Sequence, residues 1–210
     1  MTLAVTLLTG LRPGLLARTL RAVLDHHPEL FRYDWVTLHN GGDPETGEVL
    51  RSWRGFIGPP VPTDTFLGVG QATSLLFALA DADTILHLED DWEAAPAPPG
   101  WLPEARSLLD DVFQVRLRLA SERVKTRHMV TGRPLRWSGT NGTCRVSGDA
   151  HFTLNPSLIR SADLRLGFPA ASERDAQGKL HDAGRRRVAQ LVPGVFRHSG
   201  GEDSLRLRPR

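Results

Sequence analysis

A single cysteine, Cys144, leaves the 210-residue chain nothing with which to close an internal disulfide. That excludes a disulfide-stapled scaffold and any CxxC redox or zinc pair, and it suits a reducing compartment. Lysine is almost as scarce, since 24 of the 26 basic residues are arginine. Tyr33 is the sole tyrosine, so there is little material for stacking nucleic-acid bases. No GxSxG, Walker or CxxC signature occurs, which removes the common hydrolase, P-loop and zinc-site readings. Long apolar runs are missing too. The longest in a helical pattern, Leu75 to Ala80, falls far short of the roughly 20 residues that a bilayer requires. The opening MTLAVTLLTG has no basic n-region and reads as a first strand, so the expectation is a soluble, cytoplasmic protein. Repeats, heptads and low-complexity linkers are likewise absent.

What remains is ordinary globular material, 40% hydrophobic and 24% charged, enough for one sizeable core. Net charge is only +2, but it is unevenly spread. Between Val112 and Trp137 seven basic residues (Arg116, Arg118, Arg123, Lys125, Arg127, Arg133, Arg136) face one acid, Glu122. With the cluster Arg185-Arg186-Arg187, this excess can hold an anionic ligand or a polyanionic partner.

The first half alternates strands with helices. Leu3 to Leu8 is a buried-strand pattern, and Leu15, Leu16, Leu20, Val23 and Leu24 form a helical stripe. Asp34 to Leu38 predicts a second strand. Asp43 followed by Pro44 predicts a capped helix burying Val49, Leu50 and Trp53. After a proline-broken stretch from Gly55 to Gly70, the residues Ala72, Leu75, Leu76, Leu79 and Ala80 fit a helical stripe that leads into the strand Thr84 to Leu88. Such alternation implies right-handed crossovers and a largely parallel sheet. Further on, a short helix near Leu102 to Leu109 precedes Phe113 to Leu119, whose period of two predicts a strand with one polar face. Lys125 to Gly148 reads as a long loop or hairpin, and Ala150 to Leu154 as a returning strand. The Asn141-Gly142-Thr143 sequon carries no meaning in a cytoplasmic chain.

The strand Thr84 to Leu88 ends in three consecutive acids, Glu89, Asp90 and Asp91. Open α/β sheets bind ligands beyond the carboxyl ends of their strands, and adjacent carboxylates need a neutralising cation. A hard divalent ion with oxygen ligands answers both facts. The plain alternative is an idle, solvated acidic turn. His87, within the apolar run, reads as a core histidine, and the remaining histidines show no metal-ligand spacing.

Taken in order, "VTLLTGLRPGLLARTLRAVL", "LHNGGDPETGEVL", "GVGQATSLLFALADADTILHLEDDW", "VFQVRLR", "FTLNPSLIR" and "PGVFRHSG" resemble the small inverting nucleotide-sugar glycosyltransferases of the GT-A fold, over residues 5 to 200. The resemblance implies an α/β chain of GT-A type, a mostly parallel Rossmann-like sheet flanked by helices with a smaller mixed half. It implies one domain over 1–210, with nucleotide-sugar binding in 1–100 and acceptor binding in 101–210. Glu89-Asp90-Asp91 corresponds to the family's DxD element in an EDD form, with Asp91 on the metal and Glu89 and Asp90 on the ribose or a water. Thr9, Gly10 and Arg12 match the loop that cups the nucleotide. Asn40, Gly41, Gly42 and Asp43 would line the pocket beside the base, and Gly70 and Gln71 would meet the nucleotide. His198 falls where the family places a further metal ligand. The base for the acceptor hydroxyl would come from "PAASERDAQGK", as Glu173, with Asp175 second.

The implied reaction is hexosyl or pentosyl transfer from a nucleoside-diphosphate sugar (UDP favoured) with Mn²⁺ or Mg²⁺ and with inversion. A polyanion such as hydroxymethylated phage-type DNA is one candidate acceptor, in a bacterial cell or a phage-infected host. Two alternatives stand beside it. A sugar-phosphate nucleotidyltransferase would need a glycine-rich basic loop that TGLRPG does not supply. A non-catalytic nucleic-acid-binding module would rest on the arginines alone.

Overall fold

The computed structural model describes residues 2–119, 127–139 and 144–199. The chain opens with β1 (Leu3–Thr9), buried along its whole length, and α1 (Pro13–His26), which starts on Pro13 and buries Leu16, Thr19, Leu20 and Val23. A 3₁₀ turn leads into β2 (Asp34–His39). In α2 (Pro44–Ser52) the Asp43 side chain accepts from the Thr46 N–H, the expected cap. Leu50 is buried as predicted, with Val49 and Trp53 partly so. The proline-broken stretch holds a single turn, α3 (Arg54–Ile57), and the two-residue β3 (Val61–Pro62) at the sheet edge, where proline's missing N–H costs nothing.

Helix α4 (Val69–Leu79) forms where predicted but shows a different face to the core. Gly70, Ala72, Thr73, Leu76 and Phe77 are buried, whereas Leu75 and Leu79 are 36% and 42% exposed. Close packing selects the small Gly70 and Thr73 for the inner face, which rotates the buried stripe away from the most apolar one. Strand β4 (Thr84–Glu89) follows. Strands β2, β1 and β4 pair in parallel, as the crossovers require.

In the second half come β5 (Trp92–Ala94), α5 (Trp101–Leu108), β6 (Gln114–Arg116), β7 (Ser138–Gly139), β8 (Cys144–Ser147), β9 (Ser157–Arg160), α6 (Ser161–Gly167), α7 (Glu173–Asp182), β10 (Val188–Leu191) and β11 (Phe196–His198). One sheet runs in the order β3-β2-β1-β4-β9-β6-β10-β8-β7, and β11 pairs with β5 apart from it. It is parallel through β4 and mixed beyond, where β9 runs antiparallel to both neighbours. Among the described residues no helix is long and apolar enough to cross a membrane.

Two expectations are corrected here. Residues 150–154 are not a strand, and the returning strand is β9, immediately downstream. Beyond Ala150, whose N–H donates to the Arg186 carbonyl at 2.8 Å, side chains instead of a ladder hold the backbone of 151–154. Gln114 bonds both the N–H and the carbonyl of Thr153 (3.2 and 2.6 Å), and Arg116 donates to the His151 carbonyl. Gln177 donates to the Phe152 carbonyl at 3.0 Å, and the Leu154 N–H donates to Glu173 Oε1 at 3.1 Å. For the same reason the polar face of β6 does not meet solvent: Gln114 and Arg116 are buried. The predicted hairpin is represented by the antiparallel β7–β8 pair. Glu122, Arg123, Lys125 and the sequon at 141–143 lie outside the described residues.

Candidate active site

Parallel pairing of β1 with β4 brings their carboxyl ends to one edge of the sheet, with Leu8 opposite Glu89. The turn after β1 therefore meets the acids after β4. Thr9 Oγ1 and the Gly10 N–H donate to Asp90 Oδ2 at 2.7 and 3.2 Å, and Thr19 Oγ1 holds the Asp90 carbonyl at 2.8 Å. Arg12 forms ion pairs with Asp90 and, at 2.8 Å, with Asp91 Oδ2.

The short β11–β5 pairing sets His198 opposite Trp92, so that its ring packs on the indole at 5.0 Å and its Nε2 lies 3.4 Å from Asp91 Oδ2. Ser199 donates to the Asp91 carbonyl through both N–H (2.8 Å) and Oγ (3.1 Å). The other carboxylate oxygen, Asp91 Oδ1, is buried and accepts no hydrogen bond among the described residues.

Electrostatics separate the three acids. Burial raises Glu89 well above the usual carboxylate range, helped by the charges of Asp91, Glu173 and Asp90. Burial also lifts Asp90 to about 6 against the pull of Arg12 and Thr9. Burial pushes Asp91 the same way, but the His198 hydrogen bond and Arg12 together hold it below its ordinary value. Asp91 is thus the acid whose charge is best stabilised, with Oδ2 beside the His198 ring and Oδ1 buried without a partner among the described residues. A buried acceptor without a donor is costly, and a hard divalent cation bound by carboxylate and imidazole would satisfy it.

The loop after β2 closes against the same edge. The Asn40 N–H donates to the Thr9 carbonyl at 2.7 Å, and a Cβ at Gly10 would collide with the Asn40 carbonyl oxygen. Gly41 and Gly42 turn at φ +92 and +60, a region side chains disfavour. Asp43 ties the two loops by accepting from the Leu11 N–H (3.0 Å) and contacting His39 Nε2 (3.3 Å). Burial alone would raise its pKa, but these donors and Thr46 bring it down to about 2. The Asn40 side chain is spent on the Leu67 backbone. Gln71 is exposed on the first turn of α4, and no hydrogen bond joins it to the acids among the described residues.

Gly70 abuts the backbone of Ala171 and Ser172, where a Cβ would overlap both. The Ala170 N–H also donates to Ser74 Oγ at 2.9 Å. This junction carries Glu173, the first residue of α7, toward the triplet, close enough for its charge to act on Glu89. Asp175 turns inward to its own helix start, accepting from the Ala171 N–H at 2.9 Å and pairing with Lys179 at 3.0 Å. The structure therefore gathers Thr9, Gly10, Arg12, Asp43, Glu89, Asp90, Asp91, His198 and Glu173. Thr19, Ser199 and Arg116 join them without having been singled out from the sequence. Among these, Arg116 alone carried a signal, its place in the basic segment.

The expectation that no other histidines cluster is overturned. His128, Asp149 and His181, far apart in sequence, bring a ligand atom each to within 4.8 Å of one another.

A comparison with protein-family models returns no match, and neither does one with curated protein sequences. Solved structures match over almost the whole chain. TarS 1–349 of S. aureus superposes with a TM-score of 0.65 at 13% identity, over 98% of this chain and 63% of that one. GalNAc-T7, solved with UDP, GalNAc and Mn²⁺, gives 0.64 at 14%, over 94% and 43%. The mannosyltransferase PcManGT from Pyrobaculum calidifontis, in complex with GDP-Man and Mn²⁺, gives 0.64 at 17%, over 97% and 59%. The chain thus spans about two fifths to just under two thirds of these proteins. The architecture is the GT-A fold of nucleotide-sugar glycosyltransferases. At these identities the likeness is one of fold.

Proposed function

We propose that the chain transfers a sugar from a nucleoside-diphosphate sugar to an acceptor hydroxyl. The observation that carries this reading is the buried Asp91 carboxylate, Oδ2 beside His198 and Oδ1 unpartnered among the described residues, at the joined carboxyl ends of β1 and β4. Asp91 and His198 would hold Mn²⁺ or Mg²⁺. The cation supplies Lewis-acid stabilisation of the charge that builds on the departing diphosphate. Arg12 adds a second positive group aimed at the same place, and Thr9 and Gly10 keep Asp90 fixed beneath it. Asn40 to Asp43 shape the wall of the nucleotide pocket, with uracil the favoured base.

Glu173 is the base of this reading. With Oε1 anchored by the Leu154 N–H, Oε2 takes the proton of the acceptor hydroxyl as its oxygen attacks the anomeric carbon and the bond to phosphate breaks. A single displacement of this kind inverts the anomeric centre. Asp175, engaged within α7, serves the helix start instead. The whole chain acts as one transferase unit in the cytoplasm, and the basic second half suits a polyanionic acceptor, hydroxymethylated DNA among them.

Calorimetric titration of UDP, GDP, TDP and CMP, each with and without Mn²⁺, tests the donor site. One diphosphate is expected to bind only with the metal, and His198→Ala to weaken it. Absence of nucleotide binding with or without Mn²⁺ overturns the reading.

A further inference from the structure

The histidine cluster on the acceptor side has the spacing of a cation site, but its protons point elsewhere. The His128 ring is buried, with centroids 5.2 Å from His181 and 5.3 Å from His151. The backbone N–H groups of Val130 and Thr131 donate to His128 Nδ1 at 3.1 and 3.2 Å. A ring nitrogen that accepts carries the lone pair, so the proton of the neutral ring sits on Nε2. His128 Nε2 is therefore a donor and no metal ligand, and it is buried without a partner, 3.9 Å from Asp149 Oδ1. Its surroundings are cationic as well. After burial and the opposing pull of Asp149, His181, Arg116 and Arg186 all disfavour a second proton on the ring.

A second orphan donor lies nearby. Arg116 is 4% exposed and has its guanidinium 5.5 Å from the Trp137 ring centroid and one Nη on the His151 carbonyl, and its buried Nε has no acceptor. Burial, with Arg118 beside it, lowers its pKa only to about 10, so it stays charged at neutral pH. Among the described residues, Glu173 is the acid whose charge acts back on it. Two buried N–H groups lacking acceptors, in a positive setting and continuous with the base, call for an anion. The one carboxylate in the cluster, Asp149, is 48% exposed at its side chain and has room to face solvent.

We propose that Arg116 and His128 form an anion subsite on the acceptor side of Glu173, which takes a phosphate group carried by the acceptor. Its role as an acceptor subsite rests on the transferase reading, but phosphate binding does not. The test is titration of the full chain with inorganic phosphate, alone and with saturating UDP and Mn²⁺. Millimolar binding that weakens as NaCl is raised is expected, and it persists in Arg12→Ala. In His128→Asn the amide oxygen keeps the Nδ1-type acceptor for Val130 and Thr131 but removes the Nε2 proton. Phosphate affinity should fall about tenfold or more there and in Arg116→Met. Unchanged affinity in His128→Asn overturns the proposal, as does loss of binding in Arg12→Ala, which would put the phosphate in the donor site. A Co²⁺ visible absorption band that disappears in His128→Asn would overturn it in favour of a metal. Loss of UDP–Mn²⁺ binding with phosphate binding intact would sink the transferase reading and leave the anion subsite standing.

Discussion

Between β1, β2 and β4 the backbone is held by its own ladders, whereas from residue 151 to 154 it is held by Gln114, Arg116, Gln177 and Glu173. The difference decides what side chains are free to do. Where ladders satisfy the backbone, the polar residues at strand ends are released for chemistry, and Thr9, Arg12 and Asp91 converge on one site. Where side chains serve as the backbone's partners, the same polarity is consumed by the fold, and under the proposed function Glu173 and Arg116 would do both jobs at once. Substitutions should therefore affect activity and stability separately in the first region and together in the second.

The largest contrast is expected at Asp91. Asp91→Asn should lower transfer on the order of 10³-fold, through lost stabilisation of the leaving group, while the urea midpoint stays near wild type. Steady-state kinetics beside an unfolding curve measures both, and unchanged activity would remove Asp91 from the site. Next is pH. His87 is fully buried, and burial brings its pKa down from 6.5 to about 3. Below about 6.5 the unfolded ring takes up a proton and the folded ring does not until near 3, so stability falls with pH across that window. The loss approaches roughly 4–5 kcal/mol at the acid end, and the stability–pH curve of His87→Leu should flatten there.

Gln114→Leu strips two partners from the buried Thr153 backbone and should cost about 2–4 kcal/mol, along with activity, because Glu173 is anchored to the adjacent residue. Activity that survives such a loss would break the proposed coupling of fold and chemistry. The smallest effect belongs to Thr37→Val in β2. The Thr37 hydroxyl is buried without a partner and its backbone is already laddered, so its removal should change stability by less than about 0.5 kcal/mol or raise it slightly.

The same contrast explains what the sequence disclosed. A strand whose backbone is satisfied by neighbours declares itself by its apolar run, as Leu3 to Leu8 and Thr84 to Leu88 do, and the acids at the end of β4 stand out because three charges in a row close such a run. The face of α4 was misread because burial went to Gly70 and Thr73, residues that periodicity does not count. Residues 150–154 looked like a strand because their side chains are buried like those of one, although their partners lie in Gln114 and Gln177, more than twenty residues away in either direction. His128, Asp149 and His181 are separated by 21 and 32 positions, a spacing without meaning until the loops are folded. Ser199 left no mark, since its contact with Asp91 is made largely by backbone.

Strand β9 occupies the slot between β4 and β6, yet it is drawn from near residue 160. No scissors placed in the chain near residue 100 can part the two halves of the sheet cleanly. The leading fragment would carry β4 with one flank bare, its alternate amides that face β9 along Thr84–His87 left unpaired, and such an edge seeks another strand wherever it finds one. During synthesis that flank stays open until some seventy further residues have emerged, so the sticky interval of this protein's birth is set by where in the chain its ninth strand was placed.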